Sequence, residues 1–221
     1  MKTINASIYN IIVIVVAWTT QIGSYYHIEG NNFKTIKIGS QIWMAENLDI
    51  DRFSNGDLIP RAQTRKEWYE ASEKGQPAWC YYENDPTNNV TYGKLYNWYA
   101  VNDTRGLAPA GWHIPSNIEW HELIDFLGGI SAADEKMKSN NGWIAASNGN
   151  NQSGFSGTPG GYRFVAGFFG RMGYSGYWWS ATESDRDKKG AWCCKLDYDN
   201  SYVDSKLDLK GTGFFVRCIK N

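Results

Sequence analysis

The sequence predicts an α+β fold: two helices flanking small, mainly antiparallel sheets, with long irregular loops between them. Three observations carry this. Only two segments combine a helical apolar spacing with a start signal and a stop. The last third alternates glycine, proline and aromatics without helical period, the pattern of short strands and turns. Aromatics make up 15% of the 221 residues, with 11 Trp, 14 Tyr and 23 Gly, which suits a fold where large planar side chains pack irregular backbone.

Taken in order, residues 33–38 and 42–44 read as two strands joined at Gly39-Ser40, and Asn55-Gly56 as a turn. Residues 64–74 form the first helix, with Thr64 as cap, Trp68 and Ala71 facing inward and Gly75 as stop. Residues 79–82 are a short aromatic strand, 83–91 a polar loop and 97–101 a helical turn. The second helix spans 116–127. Trp120, Leu123, Ile124 and Leu127 fall at i, i+3, i+4 and i+7, Ser116 and Glu119 make a capping box, and Gly128-Gly129 ends it. Residues 136–151 read as mostly loop around Trp143, and 177–181, 191–196 and 214–219 as strands, with 202–207 as a possible fourth. The strand through Cys218 is expected to be central or to join the two chain ends. Trp43, Leu95, Trp98, Trp112, Trp120, Phe155, Trp179 and Phe214 are expected in the core.

Six words occur in order: Ile38-Gly-Ser-Gln-Ile-Trp-Met-Ala-Glu-Asn-Leu48, Tyr92-Gly-Lys-Leu-Tyr-Asn-Trp-Tyr-Ala100, Gly106-Leu-Ala-Pro-Ala-Gly-Trp-His-Ile-Pro115, Ser153-Gly-Phe-Ser-Gly-Thr-Pro-Gly-Gly-Tyr-Arg163, Tyr177-Trp-Trp-Ser-Ala-Thr-Glu183 and Gly213-Phe-Phe-Val-Arg-Cys218. Together they resemble the Fibrobacter succinogenes major paralogous domain, a family of secreted and surface bacterial proteins, from about Ile36 to Asn221. The resemblance implies a C-type-lectin-like fold, distantly similar to formylglycine-generating enzymes. It also implies a bacterial, exported protein and bears on architecture more than on activity; the role expected of it is a binding module rather than an enzyme, with an enzyme related to formylglycine generation as the lesser alternative. Many members carry Cys where this chain has Ala108, which leaves Cys80 as the first expected disulfide partner of Cys218 and Cys194 as the second.

The domain reading is 1–19 as signal peptide or N-terminal apolar strand, 20–35 as linker and 36–221 as one domain. The apolar run from Ile8 to Trp18 behind Lys2 is too short to span a bilayer, so no membrane span is expected. Ile11 to Val16 is a run of β-branched residues that an exposed strand edge could accept, so the alternative is a structural subunit of a surface filament. A formal net charge of −1 argues against nucleic acid.

No constellation announces a reaction. His113 and His121 have no nucleophile at a known spacing; His113 reads as a buried structural residue and His121 as solvent-facing. Cys193 and Cys194 are adjacent in a strand, so they point to opposite faces and do not pair with each other. Their spacing does not match the redox pair of formylglycine generation. Glu183, Asp185 and Asp187 alternate as weak calcium candidates beside Arg186, Lys188 and Lys189. Apart from calcium, no cofactor is expected. The stretch from Glu183 to Gly211 mixes rigid aromatics with short polar residues, the composition of a recognition surface. Trp192, Asp197, Tyr198, Asp199 and Tyr202 are the expected ligand-binding residues, for a glycan or surface protein, with self-association as a further possibility.

Overall fold

A computed structural model describes residues 33–221, together with the backbone of Tyr25–Tyr26. The apolar run 1–19 lies outside the described residues. Among the described residues there are four small sheets. The first has the order β1 (Tyr25–Tyr26), β2 (Thr35–Ile38), β3 (Gln41–Met44), β12 (Ile219–Lys220) and β6 (Trp112–His113). The second pairs β4 (Trp79–Cys80) with β5 (Leu95–Tyr96), and the third pairs β7 (Gly160–Arg163) with β8 (Phe169–Met172). The fourth holds the long strands β9 (Ser175–Glu183), β10 (Gly190–Asp197) and β11 (Asp204–Leu209), with β10 in the middle. Every pairing within a sheet is antiparallel. Through β1, the segment read as a linker contributes a strand.

Both expected helices form where their caps put them. In α1 (Arg65–Glu73), Thr64 Oγ1 accepts from the Glu67 amide and Glu67 Oε2 accepts from the Thr64 amide. In α4 (Asn117–Phe126), Ser116 and Glu119 repeat the arrangement, and Trp120, Leu123 and Ile124 turn inward. Two short helices, α2 (Asn89–Tyr92) and α3 (Trp98–Val101), are single turns. The Gly128-Gly129 stop is followed at once by α5 (Ile130–Met137), whose last residues fall in the stretch expected to be mostly loop. Its buried face is Ala133, Asp134 and Met137. Its start at Gly129 has no side-chain cap to announce it, and a carboxylate stands on the inward face between two apolar side chains.

The strand expected over 79–82 stops at Cys80, because Glu83 and Asn84 adopt left-handed φ of 54° and 58° and turn the chain. The strand expected over 214–219 is shorter still, and for an informative reason. Gly213 bridges to Arg163, Phe214 to Tyr96 and Phe215 to Trp178, while Ile219 pairs with Trp43 and His113. Successive residues of this segment thus reach into all four sheets, so no single ladder runs along it. Close approach explains Gly213, where an added Cβ would meet the Trp68 ring at 2.8 Å.

All eight expected core residues are buried. The interior has two clusters, and neighbouring residues divide between them. Trp178, Cys194, Phe215 and Leu95 belong to one, while Trp179, Cys193, Phe214 and Tyr96 belong to the other. Strand parity sends successive side chains to opposite faces, and here both faces are covered. Indole N–H groups fasten the layers: Trp98 donates to Ser180 O at 2.9 Å, Trp179 to Tyr96 O at 2.8 Å and Trp68 to Gly211 O at 3.0 Å.

All four cysteines are free and buried, which corrects the expected Cys80–Cys218 disulfide. Cys80 lies in the first cluster and Cys218 in the second, so packing holds them in separate cores. Burial raises the Cys80 thiol to about 11, mainly by excluding water from the thiolate. A thiol reagent at neutral pH is expected to label none of the four sites in the native protein and all four after denaturation. Fewer than four labels on unreduced, denatured protein would restore the disulfide.

Candidate functional site

Within the expected recognition segment, the turn between β10 and β11 exposes Asp199, Ser201 and Tyr202. Tyr198 sits edge-to-face on Tyr174, with ring centroids 5.3 Å apart at 89°. The Tyr198 amide donates to Tyr174 O at 2.8 Å, so backbone and rings are fixed together. Tyr174 and Tyr202 remain 41% and 43% exposed, and Asp199 is exposed between them in sequence.

Beneath this turn lies a buried polar footing. Asp197 is only 4% exposed, takes a hydrogen bond from Ser175 Oγ at 2.8 Å and pairs with Lys195 at 2.6 Å. Burial pushes its carboxyl up, but hydrogen bonds from Lys195 and Ser175 outweigh this and hold it below the usual carboxylate range. The Asp134–Lys138 pair, 2.7 Å apart on one face of α5 and its end, is buried as well, and Lys138 Nζ donates to Asn200 O at 3.2 Å. Burial raises the Asp134 carboxyl against the pull of Lys138. The Val203 amide donates to Ile130 O at 2.9 Å and closes the turn.

The five expected ligand-binding residues therefore do not form one patch. Tyr198, Asp199 and Tyr202 gather at the turn. Asp197 faces inward and anchors it. Trp192 lies in mid-strand, half-buried, directly opposite Leu207 of β11. Parity separates them: Asp197 shares the inward side with Lys195, while Asp199 lies past the strand end. Of the calcium candidates, Glu183 is bound to Lys210 and lies 3.7 Å from Lys188, while Asp185 and Asp187 are exposed. Among the described residues no group of three or more His, Cys, Asp or Glu side chains is placed to hold a metal ion. His113 is hydrogen-bonded as expected but not buried. Its side chain is 39% exposed and bridges Asn221 Oδ1 at 2.6 Å and Glu119 Oε1 at 2.9 Å. His121 is exposed.

Sequence reading missed Tyr174, the Asp134–Lys138 pair and two buried arginines. Arg163 donates to Ala62 O at 2.7 Å and to Thr64 O at 2.8 Å, and Arg217 to Asn47 and Phe155 O. Their position inside aromatic words was the available signal, since a charge among core residues must find partners there.

A cleft of about 520 Å³ lies at α1, lined among others by Leu58, Pro60, Glu70, Lys74, Pro77 and Arg105. Most of its charged groups already have partners: Glu67 serves the helix cap, Glu70 lies 3.6–3.7 Å from Lys66 and Lys74, and Arg105 grips Asp103. It singles out no ligand class. Among the described residues no helix is long and apolar enough to cross a membrane.

Fold and surface together define an α+β domain of small antiparallel sheets, fastened by its own C-terminal segment and carrying a braced aromatic turn. The chain belongs to the Fibrobacter succinogenes major domain family, whose sequence model matches residues 36–220. No curated protein and no solved structure matches it.

Proposed function

We propose that the domain is an exported, non-enzymatic bacterial binding module that recognises a glycan or protein ligand through the β10–β11 turn. The observation that carries this reading is the pairing of exposed aromatics with a rigid footing. Exposed Tyr174 and Tyr202 and half-buried Tyr198 offer flat faces and hydroxyls, Asp199 offers an exposed carboxyl, and Asp197 with Asp134–Lys138 fixes the backbone beneath them. Preorganised aromatic and short polar groups bind with little loss of side-chain entropy. A C-type-lectin-like architecture is part of the proposal. It is supported by β12, which lies between β3 and β6 and brings the two ends of the described domain into one sheet. A structural subunit joined through Ile11 to Val16 is the second reading, resting on that β-branched run alone.

The test is a glycan array together with a pull-down from surface extracts, using wild type, Asp199→Ala and Tyr202→Ala. Both side chains are exposed, so each variant is expected to keep its melting temperature. Each is expected to weaken binding at least tenfold. Ligand binding unchanged by both substitutions would remove the turn as the recognition surface.

A further inference from the structure

The outer edge of β11 has a charge pattern that fits a copy of itself. Among the described residues β11 is a terminal strand of its sheet, hydrogen-bonded to β10 on one side only. Leu207 and Leu209 are 40% and 41% exposed there, and half-buried Trp192 lies across from Leu207 on the same face. On the other face Asp204, Lys206 and Asp208 alternate in sign. An exposed edge with apolar side chains is a template for another strand.

We propose that two copies of the chain pair antiparallel through β11, with the two-fold axis at Leu207, to make one continuous six-stranded sheet. Directly opposed residues in an antiparallel pair share a face, so the register can be worked out from the sequence. With the axis at Leu207, that residue faces its own copy. Lys206 faces Asp208 of the other copy and Asp208 faces Lys206. Ser205 and Leu209 face each other twice. Opposite charges directly across a ladder stabilise and like charges destabilise.

Two neighbouring registers fail on the same criterion, and a third loses apolar contact. An axis at Lys206 sets that lysine against itself and Asp204 against Asp208. An axis at Asp208 sets two carboxylates together. An axis at Ser205 satisfies Asp204 with Lys206 but carries Leu209 past the end of the partner strand. Charged edges ordinarily discourage pairing; alternation of sign together with the Leu207–Leu209 spacing here selects one register instead. In that register Trp192 and Leu207 of both copies form an unbroken apolar row across the new sheet. The interface is isologous and closed, so it stops at a dimer. It lies on the strand edge rather than on the Tyr198–Tyr202 turn, and so is independent of ligand recognition.

Light scattering across the micromolar range is expected to show a reversible monomer–dimer equilibrium. Lys206→Glu sets two acids opposite each other and is expected to give monomer, as is Leu207→Arg. The register has its own assay, because all native cysteines are buried. Leu207→Cys should cross-link to itself on mild oxidation, since opposed Cβ atoms lie ~4.5–5.5 Å apart. Ser205→Cys should not, unless mixed with Leu209→Cys. A wild type that stays monomeric overturns the proposal. So does a dimer that survives Leu207→Arg, or one in which Ser205→Cys cross-links to itself as well as Leu207→Cys does. None of these outcomes bears on the turn, whose failure shows only as ligand binding that ignores Asp199 and Tyr202.

Discussion

Phe155→Ala is expected to lower the free energy of unfolding by about 3–5 kcal/mol. The ring is fully buried and meets three indoles, with centroids 5.8 Å from Trp43, 5.8 Å from Trp120 and 5.5 Å from Trp178. The Arg217 guanidinium lies 4.1 Å from its centroid. These four neighbours come from β3, α4, β9 and the C-terminal segment, so each is held by different backbone. None can close the space without straining the element that carries it, and the cost of a large-to-small change grows with the cavity that remains. Phe155→Leu leaves most of the volume filled and is expected to cost less than half as much. Urea unfolding monitored by tryptophan fluorescence reads both. A loss under about 1 kcal/mol for the alanine variant would mean that the site collapses freely and that the aromatic cluster is not a rigid unit.

This cluster also shows where the sequence was readable. Trp43, Trp120 and Phe155 could be assigned to the core from composition and helical spacing, because burial of a large apolar ring needs no knowledge of its partners. The α1 and α4 starts were readable because a cap is a local hydrogen bond between residues three apart. α5 was not, since its inward face carries Asp134 and the neutralising Lys138 follows the helix. The C-terminal segment was expected to be central or to join the two chain ends, but its division among four sheets depends on contacts with Trp43, Tyr96, Arg163 and Trp178, far away in sequence. At the turn, composition located Tyr198, Asp199 and Tyr202. It could not supply Tyr174, which the turn before β9 brings, and it grouped Asp197 with Asp199 although one is buried and the other exposed.

Arg217→Ala is expected to be as damaging as loss of Phe155, about 3–5 kcal/mol, through a different balance. Arg217 is wholly buried with no carboxylate among the described residues hydrogen-bonded to it, and burial pushes its guanidinium down to about 9. The cation is held instead by neutral acceptors. Asn47 Oδ1 receives Nη2 at 2.6 Å and Nε at 3.1 Å, and Phe155 O receives Nη1. Trp178 Nε1 donates to the same Asn47 oxygen at 2.8 Å. Removing the guanidinium therefore leaves Asn47 with a partner but strips the Phe155 carbonyl, which costs about 1–3 kcal/mol when such a group is buried. The missing stem adds a cavity against the Phe155 ring. Arg217→Met fills that cavity and removes the expense of a buried charge, so it is expected to recover at least half of the loss. Arg217→Lys keeps the charge but has no planar fork to serve Asn47 and Phe155 together, and is expected to fall below Arg217→Met. That order, Met above Lys, separates hydrogen-bond geometry from charge. If unfolding midpoints rank Lys above Met, the positive charge itself stabilises this core and the neutral acceptors are secondary.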